Sequence, residues 1–285
     1  MKLIDLIMTM AYSAKCNYAD VFSQVRMWDV IIYNYLRERN IQIPQIVRDS
    51  KSEGYAGAYV KEPQVGLHEW VVSFDLNSLY PHLIMNYNIS PETIKGMHKT
   101  VPTVDKMLSQ EFDTSFLKDD TITPNGAMFD CTKHGFLPEL LLQMYNDRKN
   151  TKKLMLDAQQ EYENTKHPKL LNLISQYKNK QMALKIALNS AYGAIGNQYF
   201  RFYDIRIAEA VTYGGQLSIR WIEIALNNYL NELLKTEDVD YILASDTDSV
   251  YITFKTLIEK FQPKDPVKFL DTVCREKIEP FINQK

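Results

Sequence analysis

Residues 138–165 and 170–195 each carry apolar side chains at three- and four-residue spacing, and only Asn164-Thr165-Lys166-His167-Pro168 parts them. Two long helices joined by so short a break form an antiparallel hairpin. The chain before residue 138 and the chain after residue 195 must then meet at the same end of that hairpin, so the sequence reads as a body with a helical arm inserted into it. The arm is also distinctive in charge. From Arg148 to Lys185 it holds nine Lys or Arg against three acids, in a chain whose net charge is −2. The chain as a whole therefore lacks the uniformly basic footprint of many nucleic-acid binders, while one segment is strongly cationic.

The rest of the chain reads as mixed structure. Residues 2–15 and 20–40 give two helical patterns. Pro44, Gly54, Gly57, Pro63 and Gly66 break 41–69 into loops. HEWVVSFDL reads as a strand that runs straight into a helix containing Pro81, and 100–137 is turn-rich. After the arm come the aromatic stretch NQYFRFYD, a helix over about 206–235, a hairpin around ASDTDS (244–249), and a helical pattern from Pro266 to the end. The order predicts an α+β fold: an antiparallel sheet packed on helices, with the two-helix subdomain inserted. At 285 residues and 45% hydrophobic content the chain can bury a substantial core, and no apolar run reaches the roughly eighteen residues a membrane helix needs. Cys16, Cys131 and Cys274 are odd in number and far apart, which argues against a disulfide framework or a zinc site and makes buried thiols the default.

Several residues could carry chemistry, and each has an ordinary alternative. Asp75 closes a strand before a helix, where an Asp commonly serves as a cap. Asp246 and Asp248 flank Thr247 at a hairpin tip, where Asp and Thr are common turn residues; two carboxylates that close together nonetheless favour a cation. Arg148 and Lys152 share a face of the first arm helix, and Lys185, Asn189 and Tyr192 share one on the second. Those faces make a rail for a polyphosphate or a solvated basic surface. Taken together, carboxylates on two strands and a cationic rail outline nucleotidyl transfer.

At these residues the chain resembles family B DNA polymerases. DLNSLYPHLI (75–84) is similar to motif A, usually DxxSLYPSII; KIALNSAYG (185–193) fits motif B, KxxxNSxYG; and SDTDS (245–249) fits the core of motif C, YGDTDS. YAGAYVKEP (55–63) resembles the loop between exonuclease and palm. NISPETIKG (88–96), TPNGAMF (123–129) and 206–223 look like the replicative polymerases of T-even-like tailed bacteriophages.

The resemblance implies an assignment for each position. Asp75 and Asp248 bind two Mg²⁺ ions, with Mn²⁺ able to substitute; the Leu76 carbonyl completes one site and Asp246 supports the other. Arg148, Lys152 and Lys185 hold the incoming dNTP, Asn189 helps place it, and Lys185 protonates the departing pyrophosphate. Ser78 and Leu79 position the nucleotide, and Tyr80 is the steric gate against a 2′-hydroxyl. Tyr55, Gly57, Tyr192, Gly193, Thr247 and Ser249 face the primer-template DNA.

The same resemblance divides the chain. Residues 1–46 become a helical segment joining the exonuclease end to the palm, 47–134 the first part of the palm, 135–197 the fingers, and 198–285 the rest of the palm. An exonuclease and a thumb are missing, so no proofreading is expected. Separate exonuclease and thumb segments of a split polymerase are the implied partners, and a replisome clamp would act only through the missing regions. The expected location is the cytoplasm of an infected bacterial host, with no membrane association.

Two positions depart from the pattern. Ala244-Ser245 stands where Tyr-Gly is usual, which predicts a lost aromatic contact and a side chain close to DNA at the primer end; His82 replaces a serine and reads as supporting rather than ligating. Two other function classes fit parts of the sequence. One is a fragment that binds DNA or partner segments without extending primers. The other is a nucleotide-sugar transferase with an Asp-x-Asp metal site, which leaves motif B and Tyr80 unexplained.

Overall fold

In the computed structural model, which describes residues 3–46 and 54–284, two helices come first: α1 (Leu3–Ala14) and α2 (Gln24–Glu38). The Ser23 hydroxyl caps α2 by accepting the Arg26 N–H. Next come β1 (Val60–Lys61), β2 (Val71–Asp75), α3 (Leu79–Asn86), β3 (Ile94–Met97), α4 (Val104–Leu108), β4 (Asp120–Ile122) and β5 (Ala127–Asp130). The arm consists of α5 (Phe136–Thr165) and α6 (Pro168–Ile195), and α7 (Ile205–Leu234) leads to β6 (Ile242–Asp246) and β7 (Ser249–Thr253). The last elements are α8 (Lys255–Phe261), α9 (Pro266–Val273), a π-helical turn at Cys274–Ile278, and α10 (Glu279–Gln284).

The arm is the expected antiparallel pair. Lys166 ends α5 in the left-handed region at φ 53°, and Pro168 opens α6 where its missing N–H costs nothing. At the base of the arm, α1 and α2 pack on α6. Trp28 of α2, 1% exposed, donates its indole N–H to the Ala187 carbonyl at 3.2 Å and to Ser190 Oγ at 3.1 Å. A bidentate pair between Arg201 and Asp29 ties the aromatic stretch after α6 to the same helix.

The main sheet is antiparallel, in the order β1-β6-β7-β2, and draws its strands from both sides of the arm. A second sheet, β3-β5-β4, has β4 and β5 in the region expected to be turn-rich and β3 just before it. Its strands are three or four residues long, too short for alternation to register in the sequence. Asn88 secures it, donating to the Asp130 and Lys133 carbonyls and accepting the Gly135 N–H.

The helix α7 joins two apolar cores. Its first half supplies Ile207, Ala210 and Val211 to a core shared with Trp28, Ile84, Phe129, Leu141 and Leu188. Its second half supplies Ile219, Leu226 and Leu230 to a core under the main sheet, with Tyr241, Ile242, Val250 and Ile252. Each such fully buried Leu or Ile contributes about 2 kcal/mol.

Two expectations need correcting. The thiols are not uniformly buried: Cys274 is, Cys16 is partly so, and Cys131 is exposed beyond the end of β5. An unforeseen helix, α8, comes after the hairpin, and the last helical stretch is interrupted at Cys274–Ile278. The start of the expected first palm segment, 47–53, lies outside the described residues.

Candidate active site

Pairing brings the three aspartates together. Asp75 ends β2 opposite Ser249, and Asp246 ends β6 opposite the same Ser249, so carboxylates from widely separated parts of the chain share one end of the sheet. The connecting turn is held from both sides. The Thr247 N–H donates to the Tyr59 carbonyl at 3.0 Å, and the Asp248 carbonyl accepts the Leu76 N–H at 2.8 Å. Thr247 sits in the left-handed region at φ 57°, with its hydroxyl donating to Asp246 Oδ1 at 2.9 Å. Ser249 Oγ donates to the Asp246 carbonyl at 3.2 Å.

On the other side, the backbone turns sharply between β2 and α3 through Ser78, at φ 55° and ψ 48°. That conformation is uncommon for a residue with a Cβ, and here it places the first turn of α3, with Tyr80, beside the aspartates. His82 consolidates this turn. Its Nδ1 lies 3.0 Å from the Ser78 carbonyl, and its ring meets the edge of Tyr145 on α5 at 4.8 Å, a supporting position.

A cleft of about 360 Å³ lies where these elements meet. Asp75, Thr247 and Asp248 line one side; Asn77, Ser78, Leu79, Tyr80 and Pro81 another; Arg148 of α5 with Lys185 and Asn189 of α6 the third. Among the described residues, Arg148 and Lys185 form no ion pair, and the Arg148 Nε is buried without a hydrogen-bond partner. A buried guanidinium donor left unpaired is costly unless an anion reaches it. Partial burial, then the charges of Asp75 and Asp246, push the Asp248 carboxyl above its ordinary range. The cleft thus sets an acidic face against a basic one.

Tyr80 belongs to an aromatic group. Its ring lies 4.7 Å from that of Tyr192, whose hydroxyl is 2.9 Å from the Tyr55 hydroxyl. Burial, then the Asp248 charge, raises the Tyr80 phenol. The other candidates lie around the cleft rather than in its lining. Lys152 is exposed one turn further along α5; Gly57 lies in the loop before β1 and accepts from Gln216 Nε2 at 2.6 Å; Gly193 is exposed near the end of α6 beside Gln24. Leu76, Asp246 and Ser249 adjoin the turn.

Ser245 stands differently from its expected position. It is 1% exposed and donates its hydroxyl to Glu223 Oε1 of α7, away from the cleft. Strand alternation past the bulge between Ile242 and Ala244 directs it inward and leaves Asp246 exposed. Sequence reasoning also missed Gly215. A Cβ there would come within 3.0 Å of the Tyr80 ring, and only the pair Gly214-Gly215 inside a helical pattern hinted at a close approach.

Among the described residues no three His, Cys, Asp or Glu side chains gather tightly enough to hold an ion by themselves. The donor set instead fits a hard cation that takes few protein carboxylates and completes its shell with phosphate oxygens and water, the preference of Mg²⁺. A second cleft, about 370 Å³, lies between α1, α2 and the base of the arm; none of the candidate residues lines it.

The family model described as DNA polymerase family B matches residues 20–262. The chain is 35% identical to the DNA-directed DNA polymerase of Escherichia phage RB69, over 99% of the chain and 36% of that protein. It is 34% identical to the DNA-directed DNA polymerase of Enterobacteria phage T4, over 98% of the chain and 36% of that protein. It therefore spans about a third of the length of these relatives. The fold is similar to the family B DNA polymerase of Pyrobaculum calidifontis at a TM-score of 0.63, with 22% identity over 98% of the chain and 31% of that structure.

Proposed function

The chain belongs to DNA polymerase family B, and from that premise we propose that it is the palm and fingers of a DNA-directed DNA polymerase, with α5 and α6 as the fingers. One observation carries this reading: Asp75 and Asp248 face the unpaired Arg148 and Lys185 across a single cleft that also contains Tyr80. Family B polymerases use Mg²⁺, which supplies charge neutralisation on the triphosphate and makes the primer 3′-hydroxyl more acidic.

In this reading Asp75 and Asp248 hold the two ions, with the Leu76 carbonyl and Asp246 in support. Arg148 offers its guanidinium fork to the phosphates, and Lys152 extends the basic surface outward. Lys185 neutralises the triphosphate and gives a proton to the pyrophosphate as it leaves. Asn189 and Ser78 orient the nucleotide. Leu79, buried in the first turn of α3, keeps Tyr80 in place, and Tyr80 occupies the space a 2′-hydroxyl needs. Tyr55, Gly57, Tyr192, Gly193, Thr247 and Ser249 line the path of primer and template.

Mg²⁺-dependent primer extension tests the proposal, measured for the chain alone and with the remaining two thirds of a related polymerase added as separate segments. Asp75→Asn and Asp248→Asn should each lower extension at least about a hundredfold; extension that survives both refutes the site. A second reading, binding without extension, is favoured by the chain spanning only 36% of its relatives. Extension by neither preparation, with DNA still bound, would establish it.

A further inference from the structure

Glu223 is the only acidic or basic side chain in the buried set among the described residues, at 7% exposure on α7 beneath the main sheet. A carboxylate in such a place is unfavourable unless fixed hydrogen bonds and charges receive it. Glu223 accepts the hydroxyl of Ser245, the residue directly before Asp246. It also faces the Tyr59 phenol, and Lys61, Arg220 and Asp240 are the charged groups around it. Both contacts lead to the catalytic turn. The Tyr59 carbonyl takes the Thr247 N–H at 3.0 Å, and Val60 and Lys61 pair in register with Asp246 and Ser245.

The bulge in β6 gives this contact its importance. Between Ile242 and Ala244 the register shifts, so the inward and outward phase of the last strand residues is not inherited from the start of the strand. Past the bulge the Ser245 hydroxyl points inward to Glu223 and Asp246 is exposed. A slip of one residue would turn the Asp246 carboxylate toward α7 instead.

We propose that Glu223 is a positioning residue for the Asp246–Asp248 turn, acting through Ser245 and Tyr59 to fix which carboxylates face the cleft. The consequence for metal binding rests on the function proposed above; the consequence for the turn does not.

Two readouts on the intact chain separate these claims: amide hydrogen exchange at Thr247, and Mn²⁺ binding followed by electron paramagnetic resonance. Glu223→Ala and Ser245→Ala should each speed Thr247 exchange about tenfold and weaken Mn²⁺ binding several-fold. The double variant should be no worse than Glu223→Ala alone, because that substitution already removes the contact that Ser245→Ala removes. Glu223→Gln, which keeps an acceptor for Ser245, should stay within about twofold of wild type. Ser245→Ala keeps the test available if Glu223→Ala does not fold. Unchanged Thr247 exchange in Ser245→Ala, additive effects in the double variant, or a Glu223→Gln as damaging as Glu223→Ala would each overturn the proposal. Faster Thr247 exchange in the variants of a wild-type chain that binds no Mn²⁺ would support the positioning role and refute the metal site instead.

Discussion

Asp248 shows how the site stores repulsion that a cation can relieve. Its carboxyl is raised in the fold by partial burial and by Asp75 and Asp246, so ionising it costs the native state more than the unfolded chain. That cost is absent at pH values below the ordinary carboxylate range and grows as pH rises through the raised value. Asp248→Asn should therefore raise the melting temperature of the metal-free protein at pH 7 by about 1–2 °C, a small effect because much of the group is solvated. Calorimetry in a chelator, with the difference vanishing toward acidic pH, checks the sign. Tyr80→Ala should relax rejection of ribonucleotides by at least about tenfold while leaving dNTP use measurable, because it removes bulk rather than charge; single-nucleotide incorporation reads this directly. These residues were legible because their types and spacing form motifs. Ser245 was misread because its direction depends on the bulge just before it, and Glu223 was invisible because one Glu on an amphipathic helix looks like a solvent-facing residue.

The elements that announce themselves are those whose periodicity runs over many turns. The arm helices α5 and α6 and the long α7 show three-and-four spacing; in the fold Pro168 opens α6 and the Asp204 side chain caps α7 by accepting the Arg206 N–H. The strands of the second sheet do not, since a strand of three or four residues carries no countable period. Their positions depend on tertiary partners such as Asn88. Gly215 illustrates an element serving the site from behind. Inside a helix Gly→Ala ordinarily gains about 1 kcal/mol, but here the new Cβ meets the Tyr80 ring at 3.0 Å, and that ring also packs 4.7 Å from the ring of Tyr192. Gly215→Ala is therefore expected to leave the helix intact and weaken discrimination between ribo- and deoxyribonucleotides, measured by the ratio of their kcat/KM values. An unchanged ratio would mean that Tyr80 has room to yield.

At the scale of the molecule, an α+β body with an inserted cationic arm was legible because the arm splits the sequence between the two sets of sheet strands. The cleft exists only because that split returns α5 and α6 over the strand ends where β2 and β6 meet β7. The sequence held no sign that α1 and α2 brace the base of the arm rather than the sheet, since that depends on Trp28 finding Ala187 and Ser190. In the proposed chemistry the acidic and basic faces act on one ligand, a metal-bound triphosphate. Titration of the intact chain with Mn²⁺, monitored by electron paramagnetic resonance with and without dATP, tests this most directly. The expected result is that dATP tightens Mn²⁺ binding, that Lys185→Ala removes the tightening, and that Asp75→Asn and Asp248→Asn each weaken binding itself. Mn²⁺ and dATP binding that persists undiminished in both aspartate variants would contradict it.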